Sequence, residues 1–302
     1  MVGVSAVVLL ALLAPFVQTT PSVGVAPVPV GQAPAAAPVG GGPISTPVVQ
    51  PVGPGQVDWS YQKIQATGMS VIDPAKPRAQ ALAMAIRGAK VDAQRNLLET
   101  VKGVRVVSET KVQDLMVKGD YVYTRIDGVI KGATVVGEPR ETQDGRVEVT
   151  MEVPMYDAGG IAPPIADKLH GQPQPVTAKG TLSDDDLVRA QSLSGVVFDL
   201  SGVKTEPQMF PTLLDSTGGV LLDMAKQYKL LGPEAFKKFQ YVKSMTDILN
   251  DKELLTNPTV IKVLEAAEKG WVVAREDVKK VSWLDRALDI IFKVGKTVSL
   301  FL

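Results

Sequence analysis

The chain has 302 residues, with 32 acidic and 32 basic side chains and a formal net charge of zero, so as a whole it exerts no long-range pull on nucleic acid or anionic lipid. It contains no cysteine, which excludes disulfides, thiolate metal sites, thiol nucleophiles and lipidation at a cysteine. The length suffices for two ordinary domains, but every charged residue lies at or beyond Asp58, so the start of the chain is of a different kind.

Met1 to Val17, MVGVSAVVLLALLAPFV, is an apolar run shorter than the ~20 residues that span a bilayer, and Pro15 interrupts it. Residues 1–18 are expected to be a secretory signal, with a retained anchor as the alternative, although no Lys or Arg precedes the run. Residues 19–56 are rich in Pro, Ala, Val and Gly, as in VAPVPVGQAPAAAPVGGGP, and show no apolar period. Such a composition builds no core and predicts a disordered tether.

A first domain is expected over 57–156. Tyr61 to Ile72 alternates loosely and predicts a strand. The organising stretch is Ala75 to Ser108, AKPRAQALAMAIRGAKVDAQRNLLETVKGVRVVS. Leu82, Ile86, Ala89, Ala93 and Leu97 recur at steps of three or four, which predicts one helical face. Ala79, Ala85, Ala89 and Ala93 are expected inside, small enough to let the helix lie close on a sheet. Pro77 suits the first turn and Gly103 the position just past the end. A β-rich run, Val104 to Ser108, follows directly. Asp120 to Ile130 has helical spacing with Asp120 as N-cap, although its β-branched residues also suit a strand. Gly132 to Glu141 and Arg146 to Met155 flank Asp144-Gly145, a hairpin signal.

Residues 157–182, with GGIAPP and GQPQP, read as a linker, and 183–302 as a second mixed α/β domain. There Gly195 to Leu200, Met209 to Asp223 (around a turn at Asp215 to Gly219), Val260 to Ala267, Trp271 to Ala274 and Thr297 to Leu302 suggest strands. Ser282 is expected to cap an amphipathic helix that ends at Gly295. The predicted class is α+β: a long Ala-rich helix on a small antiparallel or mixed sheet, followed by a second mixed α/β domain.

No catalytic, cofactor-binding or metal-binding residue is expected. His170, the only histidine, lies in the linker, where no held geometry serves acid–base work. One histidine without cysteine cannot supply a zinc site. Asp184 to Asp186 fits a capping box with Ser183 better than a calcium loop. Arg95, Asn96 and Glu99 form the most polar patch of the long helix, expected to be solvated or a subunit contact. Trp59, Trp271 and Trp283 are too scattered for a ligand platform. The hairpin carries charge of both signs, and Arg140, Arg146, Glu148 and Glu152 are the candidate subunit interface, since a hairpin leaves strand edges free.

Between Ala79 and Val153 the chain resembles a bacterial envelope family, the Lpp-twenty lipoproteins and FlgP-type flagellar basal-disk proteins. The segments that carry the likeness are AQALAMAIRGAKVDAQRNLLETVKGVRVVSET, DGVIKGATVV and DGRVEVTMEVPM. The second half is similar to the C-terminal module of exported relatives through GVVFDLSGVKTEPQMFPTLLD, TNPTVIKVLEA and WVVAREDVKKV. The eponymous members carry a lipidated cysteine that this chain lacks. The resemblance implies a non-enzymatic, self-associating protein of the periplasm or outer-membrane region, membrane-proximal but not lipidated. Flagellar or other envelope proteins would be its partners, and nucleic acid would not. A periplasmic binding module for peptidoglycan or lipid is the alternative.

Overall fold

The computed structural model describes residues 44–170, 182–250, 256–293 and 296–302. The apolar run, most of the expected tether, Gly295 and residues 171–181 of the expected linker lie outside them.

Structure begins earlier than the composition suggested. Ile44 and Val48 are buried, and β1 (Val49–Val52) pairs antiparallel with β2 (Gly55–Asp58) around Gly53, whose φ is +57°. Residues 44–56 are therefore not part of a tether. Pro51 is tolerated because β1 is an edge strand, where a missing amide costs no ladder bond. In β3 (Lys63–Val71) Ile64, Ala66 and Gly68 point inward, while Thr67 and Met69 point out.

The long helix α1 (Arg78–Gly103) lies across the inward face of β3. A Cβ on Gly68 would fall 2.0 Å from the backbone nitrogen of Ala93 and 2.4 Å from the carbonyl oxygen of Ala89. Backbones this close leave room only for glycine on the strand and alanine on the helix. The buried line of α1 is Ala81, Ala85, Ala89, Ala93, Leu97 and Val101. Leu82 and Ile86, expected at its centre, are instead half-buried flanks, and Ala79 is exposed. Gly103 is the last helical residue rather than the one beyond it.

The run after the helix becomes β4 (Arg105–Val107), which pairs with β5 (Thr110–Lys111) in a ribbon separate from the main sheet, while its Arg105 and Val106 carbonyls accept from the Met209 and Phe210 amides. Two helices follow, α2 (Val112–Val117) and α3 (Asp120–Lys131). Val122, Ile126 and Ile130 of α3 are buried, and Gly119, not Asp120, occupies its N-cap. The hairpin β6 (Thr134–Glu141) and β7 (Arg146–Pro154) turns at Gly145, with φ of +76°. It completes an all-antiparallel sheet ordered β1-β2-β3-β7-β6.

Part of the expected linker is helical. In α4 (Ala162–His170) Ala162, Ile165 and Ala166 are buried, with Ile161 just before them. Pro163 and Pro164 stand in its first turn, where absent amides leave no bond unmade. The helix α5 (Asp184–Ser192) is capped by Ser183, whose Oγ accepts from the Asp186 amide at 3.2 Å. Then come β8 (Gly195–Asp199), the hairpin β9 (Thr212–Leu214) and β10 (Val220–Asp223), α6 (Met224–Leu231) and α7 (Pro233–Phe236). The chain continues through β11 (Phe239–Val242), α8 (Met245–Asn250), β12 (Pro258–Ala267) and β13 (Gly270–Val273). It closes with α9 (Val278–Lys293) and β14 (Thr297–Phe301). Ser282 lies inside α9 and does not cap it, because a 3₁₀ turn at Arg275–Asp277 starts the helix a turn earlier.

The second sheet is mixed and ordered β10-β9-β13-β12-β8-β14-β11, with β12, β8, β14 and β11 parallel. Its interior strand β8 is buried from Gly195 to Phe198, as a parallel strand covered on both faces must be.

The halves expected as 57–156 and 183–302 share one core. Tyr156, just past β7, lies 5.4 Å from the Phe236 ring and 5.8 Å from that of Phe239, and its hydroxyl donates to the Met209 carbonyl at 2.6 Å. Tyr228 returns a bond to the Tyr156 carbonyl at 2.7 Å. The turn after β2 reaches β11: Ser60 Oγ donates to the Tyr241 carbonyl at 2.7 Å, and Gln62 Nε2 to the Phe236 carbonyl at 2.7 Å. Ahead of β1, Ile44 packs with Val197, Val242 and Ile248, and the Ser45 amide donates to Asp247 Oδ1 at 2.7 Å.

Candidate interaction surface

The outward face of the first sheet carries the charges singled out in the sequence. Side chains alternate along β3 and β7, so Lys63, Gln65 and Thr67 share a face with Glu148, Thr150 and Glu152. Cross-strand partners satisfy most of them. Lys63 Nζ is 2.9 Å from Glu152 Oε1, Gln65 Nε2 donates to Glu152 Oε2 at 3.0 Å, and the Thr67 and Thr150 hydroxyls are 2.8 Å apart. Arg140 Nε donates to Glu148 Oε2 at 3.0 Å. Arg146 pairs with Asp144 at 3.1 Å. The Thr142 hydroxyl, and then Arg146, hold the Asp144 carboxyl below its ordinary pKa. Arg78 at the start of α1 grips Glu141 through both carboxylate oxygens, at 2.6 and 2.8 Å, which raises the guanidinium's pKa. Of the four candidate interface residues, the structure joins only Arg140 to Glu148.

The β6 edge of this sheet and the uncovered end of β3 are guarded. Between Val136 and Arg140 the register of β6 shifts in a bulge that holds Gly137, at φ +68°, and Pro139. Bulges and prolines deny an incoming strand a regular ladder. On the other side β2 pairs with β3 only as far as Ala66. Beyond it, Asp92 Oδ2 accepts from the Met69 amide at 2.9 Å and Asn96 Nδ2 donates to the Thr67 carbonyl at 2.8 Å. Two side chains of α1 thus stand in for the missing strand. The polar patch expected on α1 is divided: Asn96 serves this edge, Glu99 pairs with Lys102 at 2.8 Å, and Arg95 is exposed.

A shallow depression of about 330 Å³ lies between the end of α1 and the α2–α3 pair, lined by Lys102, Gln113, Met116, Val117 and Tyr123. Val117 is 88% exposed. Sequence reading missed this place, because its residues come from three helices and share no motif.

Compared with known proteins, the chain matches no family model and no curated protein. Among the described residues no group of three or more His, Cys, Asp or Glu side chains is arranged to hold a metal, and no helix is long and apolar enough to cross a membrane. His170 closes α4. Trp59, Trp271 and Trp283 are buried at separate places in the core. Asp215 organises the β9–β10 turn, accepting from the Thr217 hydroxyl at 2.6 Å and the Gly219 amide at 2.9 Å.

Proposed function

We propose that this protein is a non-enzymatic structural or assembly component of the bacterial cell envelope that self-associates, as a flagellum-associated ring or disk would. The observation that carries the reading is how the segments with the family likeness lie together. The helix α1 and the hairpin β6–β7, far apart in the chain, pack into one helix-on-sheet layer. Segments that carry the likeness thus lie side by side in the fold, which supports the reading. The reading also accounts for the surface chemistry: polar side chains near the sheet are engaged in ion pairs, caps and edge cover, which suits a subunit held in a fixed shape.

Contact between subunits would run through the outward sheet face and not through strand addition, since the β6 edge carries a bulge and Pro139. Exposed ion pairs each contribute only ~0–1 kcal/mol, so several must act together with apolar burial. In a head-to-tail arrangement Arg140 and Arg146 of one subunit meet Glu148 and Glu152 of the next, and a suitable rotation closes a ring. Light scattering and electron microscopy of the full chain test this. A large closed particle that the Arg140→Glu/Arg146→Glu double variant reduces to folded monomers is expected; a monomer at all concentrations sinks the reading. The depression beside Tyr123 favours a second reading, a binding module for peptidoglycan or lipid. That reading requires a monomer whose binding to a cell-wall or lipid extract is lost in Tyr123→Ala.

A further inference from the structure

The outer face of α1 has a character that the neutral charge of the whole chain conceals. Met84, Arg87, Val91 and Arg95 follow one another at steps of three and four, so they form one stripe along roughly 16 Å of helix. All four are exposed, Met84 by 49% and Val91 by 60%. Lys90 is exposed beside them. Arg87, Lys90 and Arg95 have no acidic partner among the described residues. The nearby acids are committed elsewhere, Asp92 to the Met69 amide and Glu99 to Lys102.

We infer that this face of α1 is a docking surface for an anionic lipid bilayer. Unpaired cations on both sides of exposed apolar side chains match the headgroup region, where Arg and Lys reach phosphates while Met and Val enter the acyl boundary. A second copy of the same face would bring three unpaired cations against three others. A partner helix needs a groove, whereas one helix lying on a sheet presents a ridge. A fluid bilayer accepts a ridge. The inference does not depend on self-association, and its test is independent of particle size.

The test is co-sedimentation of the full-length protein with phosphatidylcholine vesicles and with vesicles that also contain phosphatidylglycerol. Binding at least about tenfold tighter to the anionic vesicles is expected, weakening as salt rises. An N-terminal apolar segment that inserts would act on both vesicle types, so the difference between them is the readout. Arg87→Glu/Arg95→Glu should weaken anionic binding about twentyfold or more, with Lys90→Glu as an independent variant in the same direction. Met84→Ser/Val91→Ser should weaken vesicle binding several-fold but leave binding to soluble heparin unchanged. Equal affinity for both vesicle types overturns the inference, as does indifference to the charge reversals. If the Met84 and Val91 variants bind vesicles like the parent while heparin binds as tightly as lipid, the face serves a soluble polyanion and the bilayer assignment fails. Particle size measured without lipid reports separately on the assembly reading.

Discussion

In the first half α1 meets its sheet through glycine and alanine, with a helix backbone nearly touching Gly68. In the second half, and at the joint, Phe210, Tyr228, Phe236 and Phe239 close around Tyr156 with ring centroids 5.4 to 6.2 Å away. The two regions gain stability in opposite ways. Close backbone approach collects many small dispersion contacts and has no spare volume, while large rings each remove much apolar area from water. One region should therefore fail when a side chain grows, and the other when one is cut away.

The largest effect is expected at Gly68. Gly68→Val places two methyls where even a Cβ collides with the α1 backbone, so the variant should lose about 5 kcal/mol or fail to fold. A cooperative urea transition near the parent midpoint would show that α1 can lift away cheaply. Next comes truncation at the joint. Phe236→Ala should cost about 3–5 kcal/mol, and because Phe236 serves both halves, the single transition expected of the parent should broaden or split in the variant. An equally sharp transition in Phe236→Ala would mean that the halves are coupled by the polar bonds of Ser60 and Gln62 instead.

Ala89→Leu should overpack the close contact by about 1–3 kcal/mol, whereas Ala79→Leu, on the exposed first turn, should stay within about 0.5 kcal/mol. Equal losses would erase the distinction between the buried line and the outside of α1. Asn96→Ala removes an edge bond worth about 1 kcal/mol and leaves the Thr67 carbonyl open. Concentration-dependent strand pairing in Asn96→Ala, absent from the parent, is the expected sign, read by infrared spectroscopy and light scattering.

The smallest effects are electrostatic and opposite in sign. Burial, the dominant influence, raises the Asp58 pKa above the ordinary 3.8, so its folded value exceeds the unfolded one. Stability from Asp58 accordingly increases as pH falls through the folded value toward the unfolded one, and Asp58→Asn should abolish that gain. Asp215 is held below 3.8, first by the Thr217 hydroxyl and then by the Gly219 and Thr217 amides. Its contribution is present above 3.8 and lost as pH falls through the folded value, so Asp215→Asn should remove an acid-side loss. Denaturation midpoints measured through the acid range check both; pH-dependent differences from the parent that share a sign in the two variants would contradict the assignment.

Sequence periodicity revealed α1, β3, the β6–β7 hairpin and most strands of the second sheet, since each has a local period or a turn signal. It misjudged what a close contact does to hydrophobic rank. Leu82 and Ile86 outrank alanine in hydrophobicity, yet a helix lying this near Gly68 admits only Ala85, Ala89 and Ala93 beneath it. Composition hid β1 behind prolines and α4 behind Pro163-Pro164, although an edge strand and a first helical turn are where proline does least harm. The joint was invisible for a different reason: Tyr156, Phe210 and Phe236 are distant in sequence and become neighbours only in the fold. On the candidate interface, charge alternation located the outward face, but it could not tell which partners each residue would find within its own chain.

The short segment from Ile44 to Val48 has a mechanical meaning. It leads into a strand of the first sheet while Ile44 and Ser45 rest on the second half. Tension applied at Ile44 would thus be divided between two attachments. Four-residue β1 would then be loaded against β2, and the direction of pull relative to the strands would decide whether the ladder opens bond by bond or resists as a unit. A pull from that end would open this short segment first, with the shared core still closed behind it.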